Sequence, residues 1–188
     1  MSTSDATSAT PGRVSLDTGA PLVVDLADPA ARVAKLTGAK AAALSRAAAA
    51  GLDTLPGVVL TTGFAAAVDG GAVLADHPAV LDAFTRIGGE DRALVARSSS
   101  VLEDAAGSSM AGQFDSVIGV TGFAAFVEAV DTVLTSRDRA GAPGSPIGVL
   151  VQPLIDPRWG GVMFGIDPVS GRADRRVVTA VDGGPEPL

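Results

Sequence analysis

Arg97, Ser98, Ser99 and Ser100 are followed by Glu103 and Asp104 and then by Gly107 and Gly112, which gives one short polar window enclosed by apolar sequence. It is an inventory for holding an anion. Arg97 ends the apolar run Ala93-Leu-Val-Ala, and a guanidinium there can form paired, charge-assisted hydrogen bonds to phosphate or carboxylate oxygens. The glycine-flanked loop behind it can turn successive backbone N–H groups toward a polyphosphate. No Gly-Lys-Ser/Thr follows, so it is not a P-loop. A second reading stays open, in which Arg97 pairs structurally with Glu103 or Asp104 ahead of an ordinary surface loop. Glu103 and Asp104 also suit metal ligation or general-acid work, but neighbouring loop residues diverge and two carboxylates alone are a weak signal.

Two further residues fit the same chemistry. Lys40 falls in the first turn of an alanine-rich helix, where a cation is mildly unfavourable against the helix dipole. It is either the solvated end of that helix or a second cation beside an anion held by free N–H groups. Gln152 interrupts the apolar run Ile147-Gly-Val-Leu-Val, and burying an unpaired amide costs about 1–3 kcal/mol. It therefore bonds either a neighbouring loop or a ligand such as adenine. His77 before Pro78 reads as an exposed or helix-capping residue, and Trp159 beside Gly160 and Gly161 as hairpin packing.

These residues need elements to position them. The spacing predicts helices over about 39–50, from Gly63, over 78–87 and over 122–134, with Thr121 as a cap of the last and Gly51 just past the end of the first. Strands are expected over 20–26, 58–62, 93–97, 115–121 and 147–155, with Trp159–Phe164 as the hairpin partner of the last of these, and a final strand over 177–181. Asp167 to Gly171 reads as a turn.

Composition narrows the function classes. A net charge of −7 argues against nonspecific nucleic-acid binding, which rests on Lys and Arg neutralising phosphates. No cysteine and a single histidine exclude thiolate and multi-histidine metal sites. No apolar run reaches the roughly 18–20 residues of a membrane span, so a soluble, cytoplasmic protein is expected. Residues 1–19 read as a disordered leader, and 20–188 as one lobe whose last residues look like the start of a junction.

The ordered set Gly38-Ala-Lys40 with Gly51 and Leu55-Pro-Gly, Val95-Ala-Arg97-Ser-Ser with Glu103-Asp104 and Ser109-Met-Ala-Gly112-Gln113, then Val151-Gln152, Gly161-Val-Met-Phe164, Asp167-Pro168 and Gly171, carries a family likeness. It resembles the N-terminal ATP-grasp nucleotide-binding domain of the dikinase family, which includes phosphoenolpyruvate synthase, pyruvate phosphate dikinase and rifampicin phosphotransferase. The likeness covers about residues 30–188.

The resemblance implies an α/β fold, the N-terminal lobe of an ATP-grasp domain with a mixed sheet flanked by helices. It implies ATP and Mg2+ as cofactors, and phosphoryl transfer through a phosphohistidine on a swivelling domain to a small molecule held by a substrate domain. By position, Lys40 and Arg97 look like the cations that contact ATP phosphates, with Arg97 as the catalytic one. Ser109, Gly112 and Gln113 look like the cover over them, and Gln152 lies near adenine. Three departures stand out: Ala39 replaces the second glycine of the usual Gly-Gly-Lys, Gly165 stands where threonine is common, and Pro153 removes a donor after Gln152. The second lobe, with the metal ligands, is expected soon after Leu188, so this chain alone is expected to be inactive. A non-catalytic nucleotide-sensing or scaffolding module with the same fold is the alternative.

Overall fold

The computed structural model describes residues 19–101 and 116–184. A central sheet is built from β1 (Val23–Asp25), β2 (Val58–Leu60), β3 (Leu94–Ser100), β4 (Ser116–Val120) and β5 (Ile147–Pro153), in the order β1-β2-β5-β3-β4. The α/β class with flanking helices is as expected. Every described pairing is antiparallel, however, so the sheet is not mixed.

Helix α1 (Ala34–Thr37) leads through Gly38 into α2 (Ala39–Ala49), and α3 (Thr62–Asp69), α4 (Pro78–Arg86) and α5 (Phe123–Arg139) complete the described α-helices. Alanine's high propensity sets α2, and Gly51 at φ +82° allows the turn beyond its last residues. The Thr61 hydroxyl caps α3 by accepting from Phe64 N–H. His77 caps α4, its Nδ1 accepting from Ala79 N–H ahead of Pro78, and its ring meets Phe64 edge-on. The capping reading of His77 is the one observed. Thr121 does not cap α5, because the residue before its first turn is Gly122 and no side chain bonds there.

The two faces of the sheet are covered unequally. On one, Val58, Leu60, Leu94, Ala96, Val149 and Val151 pack against the buried sides of α3, α4 and α5, with Phe64, Phe84 and Phe126 the largest side chains there. On the other, Val59 and Leu150 meet Leu26 and Ala41, the latter from α2. Strand alternation therefore sends Gly148, Leu150 and Gln152 of β5, and Val95, Arg97 and Ser99 of β3, to the α2 side.

A separate hairpin pairs β6 (Trp159–Phe164) with β7 (Val177–Asp182). This corrects the expectation that Trp159–Phe164 pairs with β5. Both edges of β5 are already filled, by β2 and by β3, so it has no ladder left to offer. Trp159 is 61% exposed rather than packed within the hairpin.

Candidate functional site

The site rests on three consecutive side chains of β3 that share the α2 face. Val95 lies between Gln152 of β5 and Ile118 of β4, and Arg97, one pleat further, lies between Leu150 and Ser116. Ser99 follows, opposite Gly148. Helix α2 covers Leu150, and further along the same sheet face a groove of about 300 Å³ opens beside Gln152. Arg97, Ser116 and Gln152 supply its polar groups; Val95, Ile118, Leu154 and Ile155 give it apolar walls.

Local sequence explains this opening. Leu94 pairs with Val120 and Val95 with Ile118, so Gly119, at φ +77°, is the extra residue of a bulge in β4. The bulge keeps Val120 in the core and turns Ile118, 55% exposed, to the groove. Gln152 is buried, and its Nε2 donates to Leu55 O at 3.2 Å. The bond to a neighbouring loop is thus made, and it fixes the amide at the groove margin.

At the opposite end of the Arg97 row, α2 closes onto β3. Lys40 Nζ donates to Ser98 O at 2.8 Å, so this second cation is tied to the carbonyl that directly follows Arg97. Ala41 N–H donates to Ser99 Oγ at 3.0 Å. Gly38, at φ +82°, presses so closely that a Cβ built there would stand 1.8 Å from Ser99 O.

The structure brings Arg97 and Gln152 into one groove and sets Lys40 on the carbonyl after Arg97. Ser109, Gly112 and Gln113, and with them Glu103 and Asp104, lie outside the described residues. Among the described residues, no group of three His, Cys, Asp or Glu side chains stands close enough to hold a metal ion. Sequence reasoning counted Ser99 among the anion-holding hydroxyls and Gly38 in the motif before Lys40, but missed that the two meet and that Ser99 caps α2. The available signal was an alanine-rich helix with glycine before it, no Ser, Thr, Asp or Asn to cap it, and no acid in its first turn.

The sequence pattern of the family described as pyruvate phosphate dikinase, AMP/ATP-binding domain, matches residues 75–187, more than half of the chain. The chain belongs to that family. As a member of this AMP/ATP-binding domain family it carries Arg97 and Gln152 within the matched span, whereas Lys40 precedes it. Among curated relatives, a prodigiosin synthesizing transferase of Serratia marcescens is 33% identical over 69% of the chain and 16% of its own length. A phosphoenolpyruvate synthase of Aeropyrum pernix is 32% identical over 56% of the chain and 15% of its own length. A rifampicin phosphotransferase of a Streptomyces species is 36% identical over 51% and 12%. The chain therefore spans less than a fifth of each of these relatives.

Proposed function

We propose that the chain is the ATP-binding lobe of a dikinase-type phosphotransferase, passing a phosphoryl group from ATP through a phosphohistidine on another domain to a small-molecule acceptor. The observation that carries this reading is the placing of Arg97 and Gln152 in one groove of an AMP/ATP-binding domain, with Lys40 bonded beside Arg97. Relatives named as a phosphoenolpyruvate synthase, a rifampicin phosphotransferase and a prodigiosin synthesizing transferase share this stretch, which fits one nucleotide lobe serving different acceptors.

The groove fits a nucleotide by the chemistry of its lining. Apolar walls from Val95, Ile118, Leu154 and Ile155 suit a base, and a few convergent polar groups orient it. With its Nε2 committed to Leu55 O, Gln152 offers its amide oxygen as the acceptor for an exocyclic amine such as that of adenine. Arg97, one pleat along, neutralises phosphate charge through paired hydrogen bonds, and Lys40 adds a second, point-like cation. In this reading Ser109, Gly112 and Gln113 close over the phosphates.

ATP, when bound, supplies the phosphoryl group; these side chains orient it and offset charge, which is most of what protein groups do in phosphoryl transfer. Mg2+ belongs to the same proposal, but the described residues bring together no three His, Cys, Asp or Glu side chains to hold it. The isolated lobe binds nucleotide weakly and transfers nothing by itself.

Arg97→Ala tests the reading. In the full-length protein it abolishes ATP-dependent phosphorylation, and in the lobe it weakens ATP by about 1.5–3 kcal/mol, the range for a hydrogen bond to a charged group. Adenosine binding and the unfolding midpoint stay unchanged. Wild-type ATP affinity and phosphorylation in this variant refute the proposal.

A further inference from the structure

Helix α2 has no cap of its own. The residue before its first turn is Gly38, which has no side chain to accept from the free N–H groups, and its first turn carries no acidic residue. The acceptor comes instead from another element, 58 residues away in sequence: Ser99 of β3 receives the Ala41 N–H at 3.0 Å, with both residues fully buried. Alternation explains why Ser99 and not its neighbours serves. Ser98 and Ser100 point to the opposite face of the sheet, and only Ser99 faces α2.

Two more contacts join the same pair of elements at the same place. Gly38 packs against the Ser99 main chain with no room for a methyl group, and Lys40 reaches the carbonyl of Ser98. Arg97 lies two residues before Ser99 on the same face of the same strand. The first turn of α2 is thus indexed against the strand that bears Arg97, and the hydroxyl of Ser99 is the directional part of that indexing. A hydrogen bond fixes distance and angle, whereas the glycine contact only sets a limit of approach.

We infer that Ser99 is a positioning residue for the phosphate-binding cations: its hydroxyl caps α2 from the neighbouring strand and so holds Lys40 in register with Arg97. The inference rests on the nucleotide reading above and assigns Ser99 no contact with the ligand. Its effect passes through Lys40.

A double-mutant cycle separates this role from a merely structural one. ATP and adenosine are titrated, by chemical-shift changes, against the 188-residue chain and its variants Ser99→Ala, Lys40→Ala and the pair together. Ser99→Ala weakens ATP by about tenfold, the scale of one disturbed hydrogen bond to a charged group, and leaves adenosine unchanged. In the Lys40→Ala background, Ser99→Ala has no further effect on ATP. Ser136→Ala is the control for stability: it removes another buried hydroxyl, which donates to Val133 O at 2.6 Å in α5, and leaves both ligands unaffected.

If Lys40→Ala weakens ATP but Ser99→Ala does not, or if the two losses simply add, the positioning role is wrong while the nucleotide reading stands. Equal weakening of ATP and adenosine by Ser99→Ala also overturns it, since that is general loosening of the fold. If Lys40→Ala leaves ATP affinity unchanged, Lys40 is no phosphate ligand and the positioning role falls, while Arg97→Ala still decides the nucleotide reading.

Discussion

Gly38→Ala is the sharpest probe of how α2 is seated. At φ +82° and ψ 166° the backbone of Gly38 occupies a region that only glycine enters readily. An added Cβ would stand 1.8 Å from Ser99 O, 2.3 Å from its carbonyl carbon and 2.4 Å from its Oγ, where real contacts almost never fall below 3.0 Å. The nearest atoms are main chain, so no flexible side chain can swing away. Helix and strand must separate, and the bond from Ala41 N–H to Ser99 Oγ is the first to break.

The backbone conformation alone costs about 1–3 kcal/mol for a residue with a Cβ. Losing a buried hydrogen bond with both partners left dry adds about 1–3 kcal/mol. Gly51 gives a reference for positive φ without the close approach: its φ is also +82°, but nothing lies within 4 Å of a Cβ placed there. Gly51→Ala therefore costs about 1–2 kcal/mol, from conformation only. In urea unfolding at constant m-value, Gly38→Ala should lower stability by about 1–3 kcal/mol more than Gly51→Ala does, the excess coming from the close approach to Ser99 and the bond it breaks. Equal losses in the two variants refute the argument, because they would mean that the close approach to Ser99 carries no energy.

The ion pair between Arg137 and Asp69 gives an asymmetric prediction, because the Arg137 side chain is 7% exposed and that of Asp69 is 41% exposed. Asp69→Asn leaves a buried guanidinium facing a neutral group and should cost about 1–3 kcal/mol, with Arg137→Met, which keeps the apolar stem, costing less. The reverse order in chemical denaturation would contradict it. At the turn before β7, Asp167 is held below its ordinary carboxyl pKa of 3.8, first by the Ser170 hydroxyl and then by the N–H groups of Val169 and Ser170. A lowered folded value means that its contribution is present above the unfolded pKa and is lost as pH falls through the folded one. The shifts of the Val169 and Ser170 amides should therefore titrate with a midpoint below 3.8; a midpoint at or above that value would refute the assignment.

Much of the site was legible in the residues alone. Arg97 at the end of an apolar run, and Gln152 inside another, are exceptions to local pattern, and such exceptions point to a site or a specific bond. For Gln152 the bond to Leu55 O is the one formed, 97 residues away in sequence, and nothing in the local pattern names that partner. The hairpin assignment went wrong for a related reason. Trp159–Phe164 has strand character in its own right, but its partner depends on which edges other strands have already taken, and β2 and β3 hold both sides of β5.

By itself the sequence determined the identity of the elements and the polar inventory: an alanine helix ended by Gly51, β-branched strands, and an arginine followed by hydroxyls. Propensity and periodicity act over a few residues, so they are written locally. Only the tertiary structure decided that Lys40, Arg97 and Gln152 share one side of one sheet, that Gly119 turns Ile118 into the groove, and that Ser99 caps a helix it does not belong to. Those relations are contacts between backbones distant in sequence, and they exist only once the strands have found their order.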